Sequence, residues 1–111
     1  MQILDYMHGR AYDSVMATGF RSSASLSERA SVFKALGEPT RLRMVDFLLK
    51  HRGEATGKEV AEHAGISLAL LCHHADALVD AGVVLKRKEG QTSYWRINGT
   101  VLAGLRRYLG A

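Results

Sequence analysis

Cysteine occurs once in the 111 residues, as Cys72, so no disulfide can close within the chain and no multi-cysteine zinc site can be assembled from it. Proline also occurs once, at Pro39, while apolar residues make up 47% and charged residues 23%. That balance belongs to an ordinary globular domain rather than a disordered segment. No apolar run approaches bilayer-spanning length and no secretory signal is visible at the N-terminus, so no membrane partner and a cytoplasmic, reducing location are expected. The motifs of catalysis are missing as well. There is no phosphate-binding loop, nucleotide fingerprint or carboxylate pair, and Cys72, His73 and His74, consecutive on a helix, point about 100° apart, a poor arrangement for a nucleophile and its base. The chain is expected to be no enzyme and to need no cofactor.

What is present is a basic surplus with a location. Fifteen Lys and Arg against eleven Asp and Glu give +4, by itself a faint hint of an anionic partner. Residues 1–65 contribute only +1, and residues 66–82 contribute −2 through Asp76 and Asp80. Residues 83–111 carry six basic side chains against Glu89, for +5. The length supports one core and leaves little room for a second domain, so residues 1–111 are expected to form a single unit.

Hydrophobic spacing and cap residues divide the chain. Residues 2–18 show weak helical spacing through Leu4, Met7, Ala11 and Val15, closed by Gly19. Ser25 with Glu28 predicts a capping box ahead of Leu26, Ala30, Phe33 and Leu36, ended by Gly37. Pro39 suits the first position of the next helix, with Leu42, Val45, Leu48 and Leu49 on one face and Lys50, His51 and Arg52 before Gly53. Thr56 and Glu59 repeat the capping-box spacing for a short helix through Val60, Ala61 and Ala64 that stops at Gly65. Ser67 caps a further helix to Ala81, with Leu71, Ala75, Leu78 and Val79 on one stripe. The period then changes. Val83–Lys88 and Thr92–Ile97 read as strands around a Glu89-Gly90-Gln91 turn, and Asn98 caps a last helix with Val101, Leu102, Leu105, Tyr108 and Leu109 on one apolar stripe.

Two short helices across a tight turn, then a hairpin and a helix, make a winged helix-turn-helix: mainly α with a small β-hairpin, in the order α-α-α-(β)-α-α-β-β-α. In such modules the second helix of the pair enters the major groove of double-stranded DNA and the hairpin follows the backbone or minor groove. The hairpin carries Lys86, Arg87 and Lys88 before its turn and Gln91, Ser93 and Arg96 after it. Three consecutive basic residues on a ribbon cannot share one face, so charge is expected on both sides. The stretch Leu36-Gly37-Glu38-Pro39-Thr40-Arg41-Leu42-Arg43, then Val60 to Ser67, His74, Leu78 to Val84, and Arg87 to Gln91 through Tyr94-Trp95-Arg96, resembles the arsenic-repressor (ArsR/SmtB) family of dimeric winged-helix regulators over residues 28–97. The resemblance implies a homodimer on a DNA operator, relieved by an effector that the sequence does not name. It also implies dimer contacts from the terminal helices: residues 1–25 through Leu4, Met7, Ala11 and Val15, and residues 98–111 through Val101, Leu102, Leu105, Tyr108 and Leu109.

Departures from the family pattern matter too. Metal-sensing members carry a Cys-x-Cys or similar cluster where this chain has Thr56-Gly57-Lys58, and another family site draws Asp and His from the last helix, yet residues 98–111 contain no His, Asp, Glu or Cys. No metal site is expected, although Asp5 and His8 share one helical turn. The groove-facing positions read Leu68, Ala69, Leu70, His73 and Asp76; apolar side chains can meet thymine methyls and His73 can donate to guanine or phosphate. DNA contacts are therefore expected from Ser67, Leu68, Ala69, Leu70, His73 and His74, from the wing residues Lys86, Arg87, Lys88, Gln91 and Ser93, and from Arg41, Arg43, Thr56 and Lys58 near helix starts. Cys72, beside His73, is a candidate redox-sensitive thiol. The rival reading is a dimeric interaction module of the same fold, with Leu68 and Leu70 on a protein-binding surface and DNA binding lost.

Overall fold

The computed structural model describes residues 24–110; the expected N-terminal helix, its Leu4, Met7, Ala11 and Val15 contacts and the Asp5/His8 pair lie outside them. Local chemistry sets the helix starts. Ser25 Oγ accepts the Glu28 amide at 3.1 Å while the Ser25 amide donates to Glu28 Oε1 at 2.8 Å, so both halves of the capping box open α1, Leu26–Leu36. Glu38 caps α2, Pro39–His51, by accepting the Arg41 amide at 2.9 Å, with Pro39 at the first position. Arg52, rather than Gly53, takes the left-handed cap position of α2 at φ 57°.

The short strand β1, Ala55–Thr56, leads directly into α3, Gly57–Ala64, where Thr56 and Glu59 form the second complete capping box. Gly65 at φ 71° turns the chain into α4, Leu68–Asp80, capped by Ser67. β2, Val84–Glu89, and β3, Thr92–Ile97, pair antiparallel from Val84 opposite Ile97 to Glu89 opposite Thr92. The turn is therefore two residues, Gly90-Gln91, not three, and Gly90 supplies the positive φ of 62° that such a tight connection demands. β1 joins β3 through Ala55 opposite Trp95, giving the sheet order β1-β3-β2. Asn98 caps α5, Gly99–Leu109, and is itself fully buried: its side-chain amide donates to the Gly82 carbonyl at 2.9 Å and its oxygen accepts the Thr100 amide.

This is the expected winged helix-turn-helix. Val32, Val60, Leu71, Leu78, Val84, Leu85 and Val101 are the largest fully buried apolar side chains, each worth roughly 1.5–3 kcal/mol of burial for residues of this size. Two helix faces differ from the periodicity reading. α1 buries Val32 and Ala35 and leaves Leu26 and Phe33 exposed; α2 buries Met44, Val45 and Leu48 and leaves Leu42 and Leu49 exposed. The reason is geometric, because Leu42 and Leu49 lie along the flank of α2 that borders an apolar groove beside α5.

Candidate nucleic-acid interface

The α3-turn-α4 pair is held against the sheet by a close approach. A Cβ on Gly57 would come within 2.8 Å of the Trp95 ring and 3.1 Å of Leu68 Cδ1, so only glycine lets β3 and the start of α4 pack against the first turn of α3. The consequence is a cleft of about 290 Å³ between α4 and the wing, lined by Thr56, Gly57, Lys58, Leu68, Cys72, Gln91, Thr92, Ser93 and Trp95. Lys58, Leu68, Cys72, Gln91 and Ser93 are thus brought to one cleft.

On α4, Leu71, His74, Ala75 and Leu78 are buried, while Leu68, Ala69, Leu70, Cys72, His73 and Asp76 face outward. This corrects the assignment of His74 as a groove contact. His74 occupies the same helical face as Leu71 and Leu78 and its Nδ1 lies 3.3 Å from Arg41 Nη1. Arginine only donates, so Nδ1 is the acceptor and the ring proton sits on Nε2. Arg41 also donates through Nε to the Ala35 carbonyl at 2.7 Å. Arg41, also expected at the DNA, is half-buried, and its side chain ties the end of α1 to α4. Arg43 is exposed and donates to Thr40 Oγ1, and Lys58 is exposed at the start of α3. The hydroxyls of Thr56 and Ser67 both accept cap amides, from Glu59 and Leu70. Backbone amides hold two cap carboxyls below the ordinary carboxylate value: the Arg41 amide acts on Glu38 and the Thr56 amide on Glu59.

Alternation on β2 separates the three wing cations as expected. Lys86 and Lys88 are exposed and make no ion pair among the described residues, although the Lys86 ammonium lies 5.7 Å from the Trp95 ring centre. Arg87 points to the other face. Its Nε and Nη2 donate to the two carboxylate oxygens of Glu54 at 2.7 and 2.8 Å, its Nη1 donates to Glu89 at 2.7 Å, and the guanidinium stacks 4.5 Å over Tyr94. Glu54 first, then Glu89, hold Arg87 still more firmly protonated than a free arginine. Arg87 is thereby a fork–fork pin between β2 and the segment before β1, not an open phosphate contact. Glu54 escaped the reading because its partner lies 33 residues away and neither residue belongs to a local motif.

The last helix divides as well. Val101, expected at a dimer contact, is 2% exposed and part of the core, and Leu105 is partly buried. Leu102 and Leu109 are exposed and line an apolar groove of about 670 Å³ with Leu49 and Ala103. Tyr108 is exposed and rests against Phe33 and Arg29 of α1. Among the described residues no three His, Cys, Asp or Glu side chains converge as metal ligands, and no helix is long and apolar enough to cross a membrane.

Comparison with known proteins agrees with this geometry. Residues 38–86 match the family model described as "Bacterial regulatory protein, arsR family". The chain is 41% identical over 76 residues to the "Probable mercury resistance operon repressor" of Streptomyces lividans, covering 68% of this chain and 59% of that protein. It is 39% identical over 72 residues to the transcriptional repressor SdpR of Bacillus subtilis, covering 65% of this chain and 78% of SdpR. In three dimensions it resembles the homodimeric winged helix-turn-helix DNA-binding domain (fragment 1-100) from Mycobacterium bovis, with a TM-score of 0.65, 33% identity and 76% of each chain covered.

Proposed function

The chain belongs to the arsR family of bacterial regulatory proteins, and on that footing we propose that it is a homodimeric transcriptional repressor that binds a pseudo-palindromic DNA operator with half-sites about one helical turn apart. The observation that carries the reading is the cleft shared by α4 and the wing, with outward α4 residues on one wall, Gln91–Ser93 on the other and Lys58 at its edge. In this reading Leu68, Ala69, Leu70 and His73 meet the major groove. Lys86, Lys88, Gln91 and Ser93 meet the neighbouring backbone, with Ser67, Thr56, Arg43 and Lys58 at the rim. The exposed Leu42, Leu49, Leu102 and Leu109, flanked by Tyr108, support a second copy as the cover of the groove beside α5. The chain works as one regulatory domain rather than as an enzyme, and acts in the cytoplasm where its DNA is. Cys72 is the one thiol in the sequence, so a single chain cannot by itself supply a multi-thiolate metal site.

The test is selection of bound duplexes from a random library, with salt titration of the selected site and sedimentation of the free protein. A dimer whose affinity falls linearly in log–log salt is expected. A monomer, or binding insensitive to salt, rejects the reading. One observation favours the rival: Leu68 is 56% and Leu70 43% exposed. A protein-interaction module predicts no duplex binding and a partner lost on Leu68→Asp.

A further inference from the structure

The outward surface of α4 is unusual in what it can offer a base pair. Over its first two turns the exposed side chains are Leu68, Ala69, Leu70, Cys72 and His73, followed by Asp76. Ser67 is exposed too, but its Oγ accepts the Leu70 amide at 3.1 Å, which turns the hydroxyl toward its own helix. The other histidine, His74, is buried and bonded to Arg41. No Arg, Lys, Asn or Gln lies on α4 at all, so the bidentate pairs that distinguish guanine and adenine by hydrogen bonding have no donor here. His73 remains as a single-point contact, and the Asp76 carboxylate can only accept. In the major groove, the one base feature that an aliphatic side chain recognises is the C5-methyl group of thymine.

We propose, resting on the DNA-binding reading above, that α4 selects its operator by C5-methyl groups, with Leu68 and Leu70 as the specificity-determining side chains on either flank of Ala69. The surroundings favour DNA over a protein as the occupant. Leu68 borders the same cleft as Lys58, and Lys86 and Lys88 stand exposed on the adjoining wing, so the apolar contact is framed by cations suited to a polyanion. Half-sites are then rich in thymine where the start of α4 docks, and the wing supplies affinity that does not depend on sequence.

The experiment uses duplexes selected from a random library by the full-length protein, each remade with deoxyuridine in place of thymine in the half-sites. Wild type should lose about fourfold in affinity per contacted methyl, the transfer value of one buried methyl group. Leu68→Ala and Leu70→Ala should each bind the thymine duplex more weakly than wild type and show a smaller uracil penalty, and the double variant should lose little on the uracil duplex. Both side chains are exposed, so both variants should fold, and the substitution in the DNA leaves the protein untouched. An equal uracil penalty for wild type and both variants overturns the proposal, because the methyl would then act through duplex shape. Selected half-sites without thymine enrichment overturn it as well. Absence of any salt-dependent duplex binding overturns the DNA reading itself, a failure distinct from the other two.

Discussion

α4 and the wing face each other across one cleft and use their polar groups in opposite ways. On α4 the polar groups are used internally, His74 accepting from Arg41 and Ser67 capping the helix, and what remains outward is largely aliphatic. On the wing the cations stay outward, except that the central one is held by Glu54 and Glu89. The lesson concerns charge counting. The +5 carried by residues 83–111 includes Arg106 and Arg107 in the last turn of α5, the half-buried Arg96 on β3, itself engaged, and the compensated Arg87, so the wing's exposed charge outside ion pairs rests on Lys86 and Lys88.

The contrast can be broken most severely by changing Lys86, Arg87 and Lys88 together to alanine. Duplex affinity should fall on the order of thirtyfold at physiological salt, and the salt slope should shrink by about 2, one unit per lost phosphate contact. Unchanged binding in a filter or anisotropy titration would remove the wing from the interface.

The inward use of polar groups on α4 is probed by His74→Leu, which leaves the part-buried Arg41 donor without its acceptor and should cost about 1–3 kcal/mol in urea unfolding. His74→Asn keeps an acceptor near Nδ1 and should lose less. Equal stability of His74→Leu and wild type would show the pair to be incidental.

A finer distinction separates a pin from a contact. Arg87→Ala and Glu54→Ala should each weaken duplex binding by a few-fold, since either one frees the wing. Tighter binding by Glu54→Ala would mean that Arg87, once released, reaches phosphate directly.

The smallest effect concerns a cap. Glu59 has its folded-state carboxyl below the ordinary value of 4.5, so its contribution is fully present above that value and is lost as pH falls through the lower folded value. Glu59→Gln keeps an acceptor but cannot titrate. Its stability near neutrality should be close to wild type and its decline in acid below about 4.5 shallower, as measured by unfolding midpoints across pH.

Much of this was legible because it is local. Ser25, Pro39, Thr56, Ser67 and Asn98 mark helix starts through contacts no more than a few residues long. His74 was misread although it sits three residues after Leu71 and four before Leu78, the spacing of a buried stripe; its polarity masked its position. The faces of α1 and α2 were misread for a different reason. Leu26, Phe33, Leu42 and Leu49 are apolar and helically spaced, yet each keeps more than a third of its surface exposed, because periodicity alone does not say which apolar residues reach the core.

The sequence by itself determined the element order, the caps and the placement of the basic surplus after Gly82, because these depend on neighbours along the chain and on composition. Tertiary structure alone decided that Arg41 meets His74 and Arg87 meets Glu54, that Asn98 is buried against Gly82, and that α4 and the wing share a cleft. Those outcomes depend on groups 16 to 33 residues apart meeting at hydrogen-bond distance, and only the packed core brings such distant positions together.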